Sequence, residues 1–311
     1  MRSLSFRPDG TFTIVQFTDV HWQDGGAKDR KSLALMEAVL DAEKPDLVVY
    51  TGDIVQSGRS EKPIQAFRDA VSPPVERGIP WAAVFGNNDT EKGVTREELM
   101  SLQRSLPHCL SEPGPDDVSG VGNFVLSVYR ADGSALGASL YFLDSHDYGT
   151  ETTKGYGWIR RDQIDWYVRA SAAQRARGGA PAPGLAFFHI PLPEYKQVWK
   201  ERTCYGERGE KNHCPNLNTG FFAALLERNE IIGTFVGHDH KNDYWGELFG
   251  IRLCYGKATG YNTYPHDAEH KRGARVVRLH QNRRAFDTWL RLDGVPRPVE
   301  QPVHEPKKPA K

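Results

Sequence analysis

The chain has no excess of charge of either sign: Lys+Arg and Asp+Glu both number 40 in 311 residues. Nucleic acids and acidic membranes are bound largely by neutralising phosphate with Lys and Arg. The balance therefore points away from both, and towards a small-molecule or locally docked phosphoester partner. Long apolar runs are also lacking, and nothing approaches the roughly 20 residues that a membrane-spanning helix needs. Met1–Asp9 is polar and the first apolar stretch, Phe12–Phe17, has the length of a strand, so no leader is read. The expectation is a cytoplasmic chain, or a periplasmic or secreted one whose leader was removed. Cysteine is scarce, with four in all. Cys204 and Cys214 flank a polar loop and could close a short disulfide; the alternative is free thiols packed as small hydrophobes. Cys109 and Cys254 have no evident mate. No internal repeat is present. The oligomeric state is not legible.

What is present is an ordinary globular balance, with enough apolar residues (39%) to bury a large core. Thr11–Thr18 reads as a β-branched and aromatic strand, and Lys31–Glu43 as a helix with a stripe of Leu33, Met36, Val39 and Leu40. Leu47–Thr51 and Trp81–Phe85 are short apolar runs suited to strands buried on both faces, with a helix over Pro63–Val75 between them. Further strands are expected at Asn123–Tyr129, Leu140–Leu143, Leu185–Phe188, Ile231–Val236, Ile251–Tyr255 and Arg275–His280, and helices at Asp162–Arg177 and Thr219–Arg228. Alternating strands and helices imply βαβ units and a mixed or parallel sheet. Arg177–Gly184 reads as a loop. No linker divides residues 1–294, which are taken as one domain, and Val295–Lys311 is a Pro- and Lys-rich tail expected to stay disordered.

The residues that carry chemistry follow the strands. Asp19-Val20-His21 follows the first, Gly52-Asp53 the second and Gly86-Asn87-Asn88-Asp89 the third; His189 follows Leu185–Phe188, and Gly237-His238-Asp239-His240 follows Ile231–Val236. Ligand sites in open α/β sheets form beyond the carboxyl ends of the strands. Singly, each motif reads equally well as a turn, a cap or a core histidine. Five strand ends that each deliver His, Asp or Asn form a converging set.

In this order the set resembles the calcineurin-like metallophosphoesterase superfamily, whose blocks are Asp-x-His, Gly-Asp, Gly-Asn-His-Asp/Glu, a lone strand-end His, and Gly-His-x-His. The likeness is to the small single-domain proteins grouped with purple acid phosphatases. It is carried by Tyr141–Ser145, Tyr156–Ile159, Cys214–Glu227, Val236–Gly246 and Leu253–Tyr261, and covers the chain from Thr11 to Leu292. The resemblance implies a four-layer αββα sandwich of two mixed sheets, with the site along one edge. It also implies two metal ions (Fe, Zn or Mn), one held by Asp19, His21, Asp53 and His240 and the other by Asp53, Asn87, His189 and His238. Carboxylate, imidazole and a carboxamide oxygen suit those metals, and no cysteine stands in the motifs to suggest a purely structural zinc. The implied activity is hydrolysis of a phosphate monoester of a small organic molecule by a dimetal-bound hydroxide. Asp239 and Asn242 are expected to orient the ligand histidines.

Two departures qualify the resemblance. Gln56 stands where the coloured members have the tyrosine responsible for their charge-transfer band, so no purple colour is expected. Asn88 stands where most relatives have a histidine that contacts phosphate and assists the leaving group. Asparagine can donate a hydrogen bond but cannot give up a proton. His146, in Leu143-Asp144-Ser145-His146-Asp147, is the candidate to take over that role. Tyr148, Tyr156, Trp158, Tyr261 and Tyr264 are candidates to line a pocket for an apolar leaving group, or else simply pack. Two other readings stay open: a phosphodiesterase acting on small diesters, and a catalytically weak binding scaffold.

Overall fold

Within the strand Thr11–Phe17, Phe12 and Ile14 point one way, Val15 and Phe17 the other, and all four are fully buried. A strand that is apolar on both faces must be covered on both, and this one is covered by a second sheet and by helices. The computed structural model describes residues 4–178, 182–264 and 270–306. In chain order the strands are β1 (Leu4–Ser5), β2 (Thr11–Phe17), β3 (Leu47–Thr51), β4 (Trp81–Val84), β5 (Phe124–Tyr129), β6 (Leu136–Phe142), β7 (Gly184–Phe187), β8 (Cys204–Tyr205), β9 (Ile231–Val236), β10 (Trp245–Leu248), β11 (Ile251–Tyr255), β12 (Gly273–His280), β13 (Phe286–Leu292) and β14 (Val303–His304). The helices are α1 (Ala27–Glu43), α2 (Pro63–Ala70), α3 (Ser72–Glu76), α4 (Arg96–Ser105), α5 (Arg161–Gly178), α6 (Glu194–Glu201) and α7 (Phe221–Arg228).

The smaller sheet has the order β13-β12-β2-β3-β4, and the larger β1-β5-β6-β7-β9-β11-β10-β8-β14. Both are mixed. β2, β3 and β4 run parallel, as do β6, β7, β9 and β11; β12 joins β2, β5 joins β6 and β10 joins β11 antiparallel, and β1 at the edge runs parallel to β5. Between the sheets, Phe12, Ile14, Val49 and Val84 meet Leu140, Phe187 and Phe235. The other face of the small sheet packs Val15, Phe17 and Tyr50 against α1, α2 and α4 through Met36, Phe67 and Leu99. The other face of the large sheet packs Tyr141, Phe188 and Tyr255 against α5, α6 and α7 through Tyr167, Tyr195 and Leu225. The result is the four-layer αββα sandwich. The parallel strands of both sheets open their carboxyl ends at one edge. Beneath that edge the buried Gln16 side chain ties the sheets together, donating to Thr51 Oγ1 (2.8 Å) and Val236 O (3.1 Å).

Several expectations are corrected. The helix expected over Pro63–Val75 is two: the chain bends at Val71 and restarts at Ser72 with proline at the first helical positions, because Pro73 and Pro74 have no N–H to continue the ladder of α2. Of the two readings left open for Cys204 and Cys214, the free thiols hold, and all four cysteines are unpaired. Cys204 turns its Sγ inward towards the Val198 carbonyl (3.5 Å), and β8 is held instead by pairing with β10. The tail differs from expectation where it is described. Val303 and His304 pair with β8, the His304 ring stacks on Trp199 at 3.8 Å, and Gln301 donates to the Asp243 carbonyl (3.0 Å). Of the loop expected over Arg177–Gly184, α5 takes the first two residues and β7 the last, while 179–181 lie outside the described residues, as do 307–311 of the tail.

Candidate metal centre

Each motif residue sits where a strand stops and the chain turns sharply. Asp19, His21, Asp53 and His238 all adopt left-handed backbone, with φ of 52°, 48°, 50° and 78°. Such conformations are costly for residues with a side chain, and they cluster at functional sites. Cross-links between adjacent loops hold them: Asp19 N donates to Gly52 O (3.1 Å), His21 N to Asp53 O (2.9 Å) and Gly237 N to His189 O (3.1 Å). Two motif glycines are required by close approach. A Cβ on Gly86 would lie 2.2 Å from Asp53 Oδ1, and one on Gly237 would lie 1.9 Å from Thr18 Oγ1. Asp89 accepts from the backbone N–H groups of Asp53 (3.0 Å), Val55 (2.9 Å) and Gly86 (2.7 Å), so the second and third motif loops share one buried carboxylate.

The side chains converge in two groups that share Asp53. In Asp19, His21, Asp53 and His240, and again in Asp53, His189 and His238, one ligand atom per residue lies within 4.8 Å of all the others. In the first group the His21 Nε2 stands 3.2 Å from His240 Nε2 and 3.4 Å from Asp53 Oδ2, and His240 Nε2 is 3.5 Å from Asp19 Oδ1. In the second, His189 Nε2 is 3.3 Å from Asp53 Oδ2. All seven motif residues, Asn87 included, are buried.

A buried polar atom normally has a hydrogen-bond partner. Here Asn87 Oδ1, His189 Nε2 and His238 Nε2 are buried without one. Each is an orphan for which a cation would be a partner. The neighbouring bonds fix their orientation. His189 Nδ1 donates to the Thr51 carbonyl (2.8 Å), which turns the Nε2 edge towards Asp53, and Asn87 Nδ2 donates to the Tyr148 hydroxyl (3.2 Å), leaving Oδ1 free. Asp19 accepts from Thr18 Oγ1 (2.8 Å) and from His238 N. The donor set of carboxylate, imidazole and one carboxamide fits Fe, Zn or Mn.

The electrostatics agree. Burial raises the Asp53 carboxyl, but the charges and polar contacts of His189 and His21 together outweigh it and hold the group well below the ordinary carboxylate range. Burial lowers His189, yet the charge on Asp53, with that on Asp19, lifts it to about 9. Burial and the charge on His189 press His238 down to about 4. The site is built to hold positive charge at its centre.

The other candidate residues divide. Asn88 is committed to the shared carboxylate: its N and Nδ2 donate to the two oxygens of Asp53, each at 2.7 Å. It positions Asp53 rather than facing outward. Asp239 and Asn242 do not hold the ligand histidines. Asp239 accepts from His213 Nδ1 (2.7 Å) and Tyr255 OH (2.6 Å), and Asn242 Oδ1 accepts from Glu210 N (3.1 Å). His146 is turned away: its Nε2 bonds Gln163 Oε1 (2.9 Å), whose amide is fixed by donating to Asn123 Oδ1 and Asp144 O. Tyr148 and Tyr156 do border the site. The Tyr156 ring stands edge-on to His238 at 4.2 Å, and Tyr148 stacks on Tyr156 at 5.9 Å. Tyr264 lies 4.6 Å from the His240 ring. Trp158 instead lines a separate hollow with Leu192, Leu217 and Phe222, and Tyr261 turns its hydroxyl to Asp293 beneath Lys31.

Sequence reading missed three contributors. Arg96 bridges the Gly86 carbonyl (3.3 Å) to Asp144 and Asp147; nothing in its context marks it. Asp89 closes the third motif but was given no role. His213 sits over Asp239, with ring centroids 6.3 Å from Tyr156 and 6.4 Å from His238. Its one signal is that it is the sole histidine between His189 and His238.

Comparison with known proteins is consistent with this geometry. The family model described as calcineurin-like phosphoesterase matches residues 12–242. The chain is 35% identical to the Arabidopsis thaliana protein named probable inactive purple acid phosphatase 29, over 94% of this chain and 85% of that one. It is 32% identical to phosphatase DCR2 of Saccharomyces cerevisiae, over 94% of this chain and 55% of that one. In three dimensions it superposes on a dimetal phosphatase from Danio rerio with a TM-score of 0.63, at 16% identity, over 94% of this chain and 98% of that one.

Proposed function

The chain belongs to the calcineurin-like phosphoesterase family, and from that premise we propose that it is a metal-dependent hydrolase of a phosphate monoester carried by a small organic molecule. Asp19, His21, Asp53 and His240 would hold one ion and Asp53, Asn87, His189 and His238 the other, with Fe, Zn or Mn as the metals that suit the donors. Two such ions, when bound, activate water near neutral pH and neutralise charge developing on the phosphoryl oxygens. The chain's own part is positional. Asp53, clamped by Asn88 from behind, is the shared ligand. Thr51 O and Tyr148 OH aim His189 Nε2 and Asn87 Oδ1, while Tyr148, Tyr156 and Tyr264 wall the mouth.

The observation that carries this reading is that His189 Nε2 and His238 Nε2 converge on the shared Asp53, and that these two atoms and Asn87 Oδ1 are buried without a hydrogen-bond partner. A scaffold with no use for metal would be under no constraint to leave them orphaned. The competing reading, a metal-binding protein with little catalysis, is favoured by one observation: the Asn88 side chain is spent on Asp53 and is not free to meet a substrate. Metal analysis combined with phosphate release decides between them. About two ions per chain with turnover of 4-nitrophenyl phosphate is the expected result. Two ions without turnover of any ester would establish the scaffold, and faster turnover of bis(4-nitrophenyl) phosphate would make the enzyme a diesterase.

A further inference from the structure

Hydrolysis of an ester of a basic alcohol needs a proton for the departing oxygen, and the groups around the metal ligands are mostly committed elsewhere. Asn88 is bound to Asp53, and His146 to the Gln163 amide. The Tyr148 hydroxyl donates to Glu91 (3.0 Å), and that of Tyr264 to Glu210 (3.0 Å). His213 is different. Its Nδ1 is held by Asp239 Oδ1 at 2.7 Å, and the opposite ring edge, which carries Nε2, belongs to a side chain that is 32% exposed. Tyr156 and His238 flank that ring at the mouth of the site. The carboxylate behind it is fully buried and anchored: Asp239 Oδ2 accepts from Tyr255 OH (2.6 Å), which in turn accepts from Asn212 Nδ2 (2.7 Å). A buried carboxylate that fixes one imidazole nitrogen, on a part-exposed ring that lies beside His238 and Tyr156, is the arrangement of an oriented acid–base histidine.

We propose, resting on the phosphoesterase reading, that His213 is the leaving-group acid of this site and that Asp239 positions it. As the P–O bond to the alcohol breaks and its electron pair goes to oxygen, Nε2–H transfers its proton to that oxygen. The alcohol leaves neutral, and the imidazole, still bonded to Asp239, recovers a proton from solvent. His213 thereby supplies what Asn88 cannot.

The test compares the metal-reconstituted wild type with His213→Gln, which keeps an amide donor for Asp239, across phosphate monoesters from 4-nitrophenyl through phenyl to alkyl. The variant should retain the metal content of the wild type by elemental analysis. Its deficit relative to the wild type should grow by about 10²-fold from 4-nitrophenyl to alkyl phosphates. A ratio that stays flat across the series overturns the assignment alone. Loss of metal from both His213→Gln and His213→Asn would make His213 a structural residue and also overturn it. A wild type that turns over none of the esters overturns the phosphoesterase reading, and this assignment with it.

Discussion

Gly86→Ala tests the site with a single methyl group. Gly86 does not have positive φ, so alanine meets no backbone penalty there. Its Cβ would lie 2.2 Å from Asp53 Oδ1 and 2.4 Å from Asp53 N. Ordinary contact begins near 3.5 Å, so the two loops must part by about 1 Å. Both loops carry proposed ligands, since Asn87 follows Gly86 and Asp53 is shared between the groups. Overpacking of this kind costs about 1–3 kcal/mol, which for a chain of this size lowers Tm by roughly 2–5 °C and leaves the fold intact. A misplacement near 1 Å at reacting groups costs about 10²-fold in rate. The expected outcome is a folded protein with weakened metal retention and phosphatase activity lower by about 10²-fold or more. Gly133→Ala, where a Cβ meets nothing within 4 Å, is the control and should cost only stability. Differential scanning calorimetry, elemental analysis and phosphate release are the three readouts. If Gly86→Ala held both metals and hydrolysed substrate at the wild-type rate, the juxtaposition of Gly86 and Asp53 would have no role in the site.

Asp53→Ala should abolish turnover and release both ions, because its carboxylate belongs to both groups; release of only one ion would show that it is not shared. His146→Ala should leave kcat within about threefold and lower stability by only about 0.5–1.5 kcal/mol, because the buried Gln163 oxygen loses one donor but keeps Arg160 N (2.7 Å); a large loss of rate at unchanged stability would return His146 to the chemistry. Metal uptake at pH 7.5 should release protons. His189, lifted to about 9 without metal, is protonated there and must give up its Nε2 proton to become a ligand. Calorimetric binding enthalpies should therefore differ between HEPES and Tris, and identical enthalpies would contradict that charge state. Under denaturing, non-reducing conditions all four cysteines should react with a thiol reagent; two reactive thiols would reinstate the Cys204–Cys214 bond.

Much of the architecture was legible because its central strands are buried on both faces. Leu47–Thr51, Ile231–Val236 and Ile251–Tyr255 appear with the bounds read from composition alone. A short apolar run closed by Gly-Asp or Gly-His has few other ways to fold. The edges were not legible. Leu4–Ser5, Cys204–Tyr205 and Val303–His304 have two residues each, too few to show a period, and exist only because a neighbour offers unpaired backbone. Two omissions did carry a signal. Phe286–Leu292 alternates Phe, Thr, Leu and Leu, and Thr95 with Glu98 forms a capping box, Glu98 N donating to Thr95 Oγ1 at 3.2 Å, ahead of Leu99, Met100 and Leu102.

The site divides along the same physical line. Its ligand candidates were readable because each lies within a few residues of a strand end, so local sequence and topology together determine where it goes. Its supporting contacts were not, because they join residues far apart in the chain. Asp239 was expected to hold the histidines on either side of it, as proximity in sequence suggested; it holds His213, 26 positions away. His146 was expected to face the centre, yet its left-handed backbone (φ 62°) and the fixed amide of Gln163 turn it towards α5. Asn88, which seemed to mark a missing function, proves to be a second-rank partner of Asp53. Ligand identity is thus a local property of this chain and proton supply a tertiary one, which is why a motif lacking its histidine says nothing by itself about whether the site can deliver a proton.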